Sequence, residues 1–158
     1  MSTTEAATDA SQLRVLLVDD QMIIVEAIRR MLGGEHDIEF AFVTDARQAL
    51  ATALDWRPTV ILQDLVMPEI DGFGLIAAYR AEAALASVPV LVLSSKDDPK
   101  FKARSFELGA NDYVQKLPER LELVARVRYH SGYELCRRQL AEARLALQGH
   151  TAALQALQ

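Results

Sequence analysis

Five residues stand at the ends of short strand-like runs: Asp19 and Asp20 after Val15–Val18, Asp64 one residue beyond Val60–Leu62, Ser94 after Val90–Leu93, and Lys116 after Tyr113–Gln115. If those runs are parallel strands, their carboxyl ends line one crevice, where an open α/β sheet binds ligands. Three carboxylates, a hydroxyl and an ammonium would then converge. Any one of these Asp residues alone reads as a turn or helix cap; their joint placement suggests a site. Clustered carboxylates repel, so either one takes up a proton or a cation sits among them. Hard oxygen donors without imidazole or thiolate suit Mg²⁺, which keeps several waters. Lys116 can neutralise a phosphoryl oxygen and Ser94 can donate a hydrogen bond to one. These are the parts phosphoryl transfer requires, with Asp64 as a carboxylate nucleophile.

The elements that must place these residues are readable. Val15–Val18, Val60–Leu62 and Val90–Leu93 are continuous apolar runs, as expected of strands buried on both faces. Ile38–Val43 and Tyr113–Gln115 are weaker. Between them lie helical patterns: a stripe of Ile23, Ile24, Ala27, Ile28 and Met31 ended by Gly33-Gly34; 46–56 opened by Asp45; 73–85 after Asp71-Gly72; and 101–108 opened by Asp98-Pro99 and closed at Gly109. A fifth helix offers Leu121, Val124 and Val127 to the sheet. The alternation predicts a doubly wound α/β fold with a five-stranded parallel sheet, flavodoxin-like, and an extended C-terminal helix.

Beyond Pro118 only Gly132 and Gly149 interrupt the helical pattern. Tyr133, Cys136, Leu140, Ala143, Leu147, His150, Leu154 and Leu157 recur at spacings of three and four, an a/d seam of about three and a half heptads. The expected organisation is a disordered leader over 1–12, a globular domain over 13–132, and a helical stalk over 133–158, a possible coiled coil pairing two chains.

Composition excludes several classes. The chain has 158 residues and a net charge of −5, which argues against nucleic acid as a default partner. Residues 1–115 carry 10 basic and 18 acidic residues, whereas 116–158 carry 7 and 4. The single cysteine, Cys136, fits a reducing compartment. No run approaches the ~18 apolar residues of a membrane span, and the N-terminus lacks signal-peptide character. A cytoplasmic protein is expected. Neither a dinucleotide-binding glycine fingerprint nor a P-loop follows a strand. Val66 stands where a haloacid-dehalogenase-like phosphatase would need a second Asp, and no histidine is placed to activate Ser94.

The motifs Val18-Asp19-Asp20, Asp64 with Met67-Pro68 and Asp71-Gly72, Ser94, Gly109-Ala110 and Lys116 resemble the receiver domain of two-component response regulators, the chemotaxis-regulator-like fold, over about residues 13–132. The resemblance implies strand order 2-1-3-4-5 and Asp64 as the phosphoacceptor for a histidine kinase. It further implies Mg²⁺ held by Asp19, Asp20, Asp64 and the Val66 backbone carbonyl. Lys116 and Ser94 would act on the phosphoryl group, with Ser94 and Tyr113 as switch residues. Only self-phosphorylation and self-dephosphorylation are expected of such a chain, not turnover of an external substrate.

The family usually follows its lysine with a cis proline, but Leu117 intervenes here before Pro118. That implies either a cis Lys116–Leu117 bond, costing ~3 kcal/mol without proline, or a remodelled loop. Val66 and Lys96 occupy the variable positions beside the phosphoryl group; Val66 cannot orient a water and Lys96 would screen it, implying slow loss of phosphate. The Lys-Leu-Pro turn, the segment 63–68, Tyr129-His130-Ser131 and the stalk are similar to Wsp-type regulators, which implies a diguanylate cyclase output beyond the stalk. No Gly-Gly-Asp-Glu-Phe motif occurs in these residues. A homodimer through the stalk or the fourth- and fifth-helix face follows from the same resemblance. The other readings are a constitutive dimerisation adaptor with a vestigial phosphorylation site, and a true phosphatase.

Overall fold

The computed structural model describes residues 12–157. All but the last residue of the expected leader, 1–12, and the final Gln158 lie outside the described residues. Five strands, β1 (Leu13–Val18), β2 (Ile38–Val43), β3 (Val60–Asp64), β4 (Val90–Ser94) and β5 (Asp112–Gln115), form one all-parallel sheet ordered β2-β1-β3-β4-β5. The helices are α1 (Met22–Leu32), α2 (Ala49–Trp56), α3 (Gly72–Ala81), α4 (Pro99–Glu107) and α5 (Arg120–Ala156). This is the predicted fold and strand order.

Central strands bury both faces, so their side chains divide between two cores. Leu16, Val18, Ile61, Val90 and Val92 meet Ala49, Ala53, Phe73, Ile76 and Tyr79 of α2 and α3. Val15, Leu17, Leu62, Leu91 and Leu93 meet Ile24, Val25 and Ile28 of α1, and Leu123 and Val127 of α5. Near-continuous apolar strands are what two-sided burial demands. Asp45, Asp71 and Asp98 each accept a backbone N–H two residues ahead, capping the helices they open.

Several helix assignments shift. The expected helix 46–56 begins as a 3-10 turn, Ala46–Gln48, and becomes α-helical at Ala49. The third helix ends at Ala81, with Glu82 extended, and Leu85 is buried in the following turn. Ile23 is exposed while Val25 and Leu32 take its place in the α1 stripe. On α5, Leu121 is exposed; the buried line runs through Leu123, Val127, Ser131 and Glu134. Residues two apart differ by about 200° around a helix, so Leu121 and Leu123 cannot share a face.

Helix α5 continues unbroken through the expected stalk. Its packing ends at a polar anchor. Glu134 is fully buried and accepts from Arg137 and Arg138, and Arg138 also donates to the Pro58 carbonyl at 2.7 Å. The buried Thr59 hydroxyl joins Ser131 to the Arg14 backbone. From Gln139 to Leu157 every residue is exposed, the seam included. No described helix is long and apolar enough to cross a membrane.

Candidate functional site

The sheet places each anticipated residue at its carboxyl end. Val18 pairs with Val43 in β2, and one residue later the Asp19 N–H donates to the Val43 carbonyl, so Asp19 leaves the ladder at the crevice floor. Its Oδ1 accepts from Gln21 N–H at 2.9 Å, which turns the chain into α1. Asp64 closes β3 and Ser94 closes β4. Lys116 follows β5, held by its N–H to the Ser94 carbonyl at 2.9 Å.

Carboxylate oxygens of Asp19, Asp20 and Asp64 lie within 4.8 Å of one another. The Lys116 ammonium sits 3.2 Å from Asp19 Oδ2 and 3.2 Å from Asp64 Oδ1. Asp64 Oδ1 also accepts from the Val66 N–H at 3.3 Å. Asp64 Oδ2 is buried without a hydrogen-bond partner. So is Asp19 Oδ2, which despite its closeness to Lys116 makes no aligned hydrogen bond. Lys116 therefore pairs with two of the three clustered carboxylates, and two buried carboxylate oxygens make no hydrogen bond.

The electrostatics follow. Burial, then the neighbouring Asp19 charge, pushes the Asp64 carboxyl up to about 6 against the pull of Lys116. Burial likewise raises Asp19. Burial alone would depress Lys116, but Asp64 and Asp19 outweigh it, and the ammonium is held more firmly than usual. A divalent cation would relieve the excess negative charge. Three hard oxygens with two unpartnered atoms fit Mg²⁺, which prefers few carboxylates and retained waters.

Ser94 and Tyr113 are brought together through one residue. Ser94 Oγ accepts from the Lys96 N–H at 3.1 Å, and the Tyr113 hydroxyl donates to the Lys96 carbonyl at 2.6 Å. A cavity of about 110 Å³ separates them, bounded also by Asp97 and Lys102. The Val66 side chain is open to solvent beside Asp64. The Lys96 ammonium lies 5.2 Å from the Phe101 ring centroid.

After Lys116 the loop is remodelled. Among the described residues there is no cis peptide, and Leu117 has φ 54°. The left-handed turn at Leu117 leaves its side chain exposed and lets Pro118 follow in trans. The sequence reading missed Gln63, a polar residue inside an apolar strand and fully buried beside Asp64. Its oddity in that run was the available signal.

The response regulator receiver domain family matches residues 15–128. The DNA-binding response regulator MtrA of Mycolicibacterium smegmatis is 36% identical over 120 residues, covering 76% of this chain and 51% of MtrA. The transcriptional regulatory protein PrrA of Mycobacterium tuberculosis is 37% identical over 123 residues, 77% of this chain and 51% of PrrA. The chain thus spans about half the length of these relatives. Among solved structures, the chemotaxis protein CheY4 of Vibrio cholerae superposes with a TM-score of 0.70 at 28% identity, covering 75% of this chain and 98% of that one. The receiver domain of the sensor histidine kinase PA1611 of Pseudomonas aeruginosa, crystallised with magnesium in its active site cleft, gives 0.70 at 27%, covering 77% and 98%. With acids, lysine and hydroxyl converging at the carboxyl end of a 2-1-3-4-5 sheet, this chain belongs to the response regulator receiver domain family.

Proposed function

We propose that the chain is a Mg²⁺-dependent phosphoacceptor in which Asp64 takes a phosphoryl group from a histidine kinase. The supporting observation is the buried, unpartnered Asp64 Oδ2 beside Asp19, Asp20 and Lys116. An Asp64 oxygen forms the new P–O bond as the P–N bond to the donor histidine breaks; the leaving nitrogen keeps the electron pair and is protonated. Lys116 neutralises charge on the transferred group, a preorganised contact that costs no rearrangement during reaction. Asp19, Asp20, Asp64 and the Val66 carbonyl would hold Mg²⁺. When bound, that ion supplies positive charge against the phosphoryl oxygens.

Ser94 reports the product by exchanging its Lys96 N–H for a phosphoryl oxygen. Tyr113, bonded to the same residue's carbonyl, then moves inward, which alters the face built by α4, β5 and α5. New acceptor oxygens in a cationic pocket supply the bias that such a two-state surface reads. The proposed organisation is a receiver over 13–132 and a stalk over 133–158 that pairs two chains in a cytoplasmic homodimer; α5 makes its last anchoring contacts to the domain at Glu134 and Arg138.

For the output, MtrA and PrrA are named as DNA-binding and transcriptional regulators, whereas the likeness to Wsp-type regulators implies a diguanylate cyclase. The continuous α5 suits an output of either kind that acts as a pair. The adaptor reading is favoured by one observation, the exposed apolar seam, which would pair chains without phosphate.

Labelled acetyl phosphate with Mg²⁺ decides among these readings. Stable label on wild type, absent from Asp64→Asn, is the expected result. No label on either protein would leave the adaptor, and rapid multiple turnover the phosphatase.

A further inference from the structure

Gln63 lies in β3 with its neighbours Ile61 and Leu62 fully buried, and is itself fully buried. Its side chain faces α3, where its Oε1 accepts from the Tyr79 hydroxyl at 2.7 Å. Its Nε2 donates to the backbone carbonyl of Asp64 at 2.8 Å. Burial raises the Tyr79 phenol above its ordinary value, so it stays a neutral donor. The amide orientation is determined by chemistry, because the Asp64 carbonyl only accepts. Turned over, Gln63 would set two acceptors against each other.

The same carbonyl is closed in from a second direction. A Cβ on Gly72 would lie 2.2 Å from Asp64 O and 2.6 Å from Leu65 Cα, so only glycine allows α3 this close. Gly72 N–H donates to the Leu65 carbonyl at 3.1 Å. The Asp64–Leu65 peptide is thus gripped by the first residue of α3 and, through Gln63, by Tyr79 two turns later. Stability does not require the polar pair. A buried amide and phenol replaced together by apolar groups of similar shape can cost almost nothing. What apolar groups cannot supply is a direction for the Asp64 peptide plane.

We infer that Gln63, held by Tyr79, is a positioning residue for phosphoryl acceptance. It fixes the Asp64–Leu65 peptide so that the carboxylate points at Lys116 and the loop presents Val66 to the acids. This rests on the phosphoacceptor reading of Asp64. Gln63 touches no reacting atom and acts through the backbone.

The test uses the whole chain as Tyr79→Phe, Gln63→Leu and the double variant. Tyr79→Phe strands Gln63 Oε1, whereas Gln63→Leu strands the Tyr79 hydroxyl and takes a donor from the Asp64 carbonyl; each lowers the melting temperature. The double change removes both side-chain polar groups, leaves only the Asp64 carbonyl short of a donor, and recovers most of the loss. Labelling by acetyl phosphate at saturating Mg²⁺ is read beside Mg²⁺ affinity, followed by amide NMR shifts. The double variant is expected to label about 5- to 20-fold more slowly and bind Mg²⁺ several-fold more weakly, since small misplacements of reacting groups are costly. Wild-type labelling and wild-type Mg²⁺ affinity in the double variant would overturn the inference. If wild type takes no label, the phosphoacceptor reading fails. Mg²⁺ affinity then decides this inference alone: weaker binding supports it and unchanged binding overturns it. Should the double variant melt early, Tyr79→Phe assayed well below its melting temperature gives the same two readouts.

Discussion

At the carboxyl end of the sheet two buried carboxylates of a three-acid cluster share one ammonium, whereas at the amino end one carboxylate, Glu134, is shared by two guanidiniums. Asp19, Asp64 and Glu134 are buried to about the same degree. Their surroundings are opposite. Both Glu134 oxygens accept, and Arg138 spends a further N–H on Pro58. Asp19 and Asp64 each keep an oxygen that makes no hydrogen bond. Buried charge costs several kcal/mol unless it is paired and hydrogen-bonded. Full pairing at one end builds a joint between α5 and the sheet, and incomplete pairing at the other leaves a site for an incoming cation and phosphoryl group.

The largest test of that contrast is Lys116→Met. Among the described residues it removes the only cation paired with Asp19 or Asp64, and it leaves the amino-end anchor untouched. Acetyl phosphate labelling should fall by about 100-fold or more, the scale seen when a preorganised charge-stabilising group is deleted. Labelling within a few-fold of wild type would show that Lys116 is a spectator. Glu134→Gln, in the same assay, should label at the wild-type rate.

Stability should reverse the ranking. Glu134→Gln weakens charge-assisted bonds from two arginines and should lower unfolding free energy in urea by about 1–3 kcal/mol. Asp64→Asn in metal-free protein should raise it by about 1–2 kcal/mol at pH 7.5, because water at the mouth of the site screens part of the charge being removed. The sign follows from linkage. Native Asp64 titrates near 6, above its unfolded value of about 3.9, so between those values the native state holds more protons. Unfolding free energy therefore falls as pH rises through that window. The gain from Asn should be complete above about pH 7 and absent near pH 4, and Mg²⁺ should reduce it at neutral pH. Equal stabilities across that range would remove the electrostatic contrast between the two ends.

Much of the carboxyl end was legible in the sequence because strand ends are marked by where apolar runs stop. Asp19, Asp64, Ser94 and Lys116 each follow such a run, and one crevice collects them. The amino end was not. Leu121 and Leu123 offer competing helical stripes, and only distant groups choose between them: Thr59 for Ser131, and Pro58 for Arg138. Ile23 failed for the same reason, since an amphipathic helix with excess apolar residues does not say which to bury. Gln63 stood out as polar within β3, but its partner is 16 residues away on α3. Leu117 in a left-handed turn escapes propensity reasoning altogether, because that conformation favours glycine or asparagine.

The smallest expected effect on the receiver comes from the part of α5 that neither end holds. Among the described residues past Arg138 none is buried, so a substitution there removes no buried contact within the domain. Leu140→Glu with Leu147→Glu should leave the unfolding free energy of the receiver within about 0.5 kcal/mol and its labelling rate unchanged, as surface changes do. The same pair places charge on a seam whose Leu140, Leu147 and Leu154 are more than half exposed in the single chain. If that seam pairs two chains, sedimentation should show the wild-type dimer becoming monomer. Ala143, Gly149 and His150 interrupt the seam, and an a/d interface with small or polar members is weak, so two charges are enough to break it. A loss of receiver stability would instead mean that the distal helix folds back on its own domain. That outcome would extend the amino-end joint beyond Arg138, and no seam would remain for a second chain.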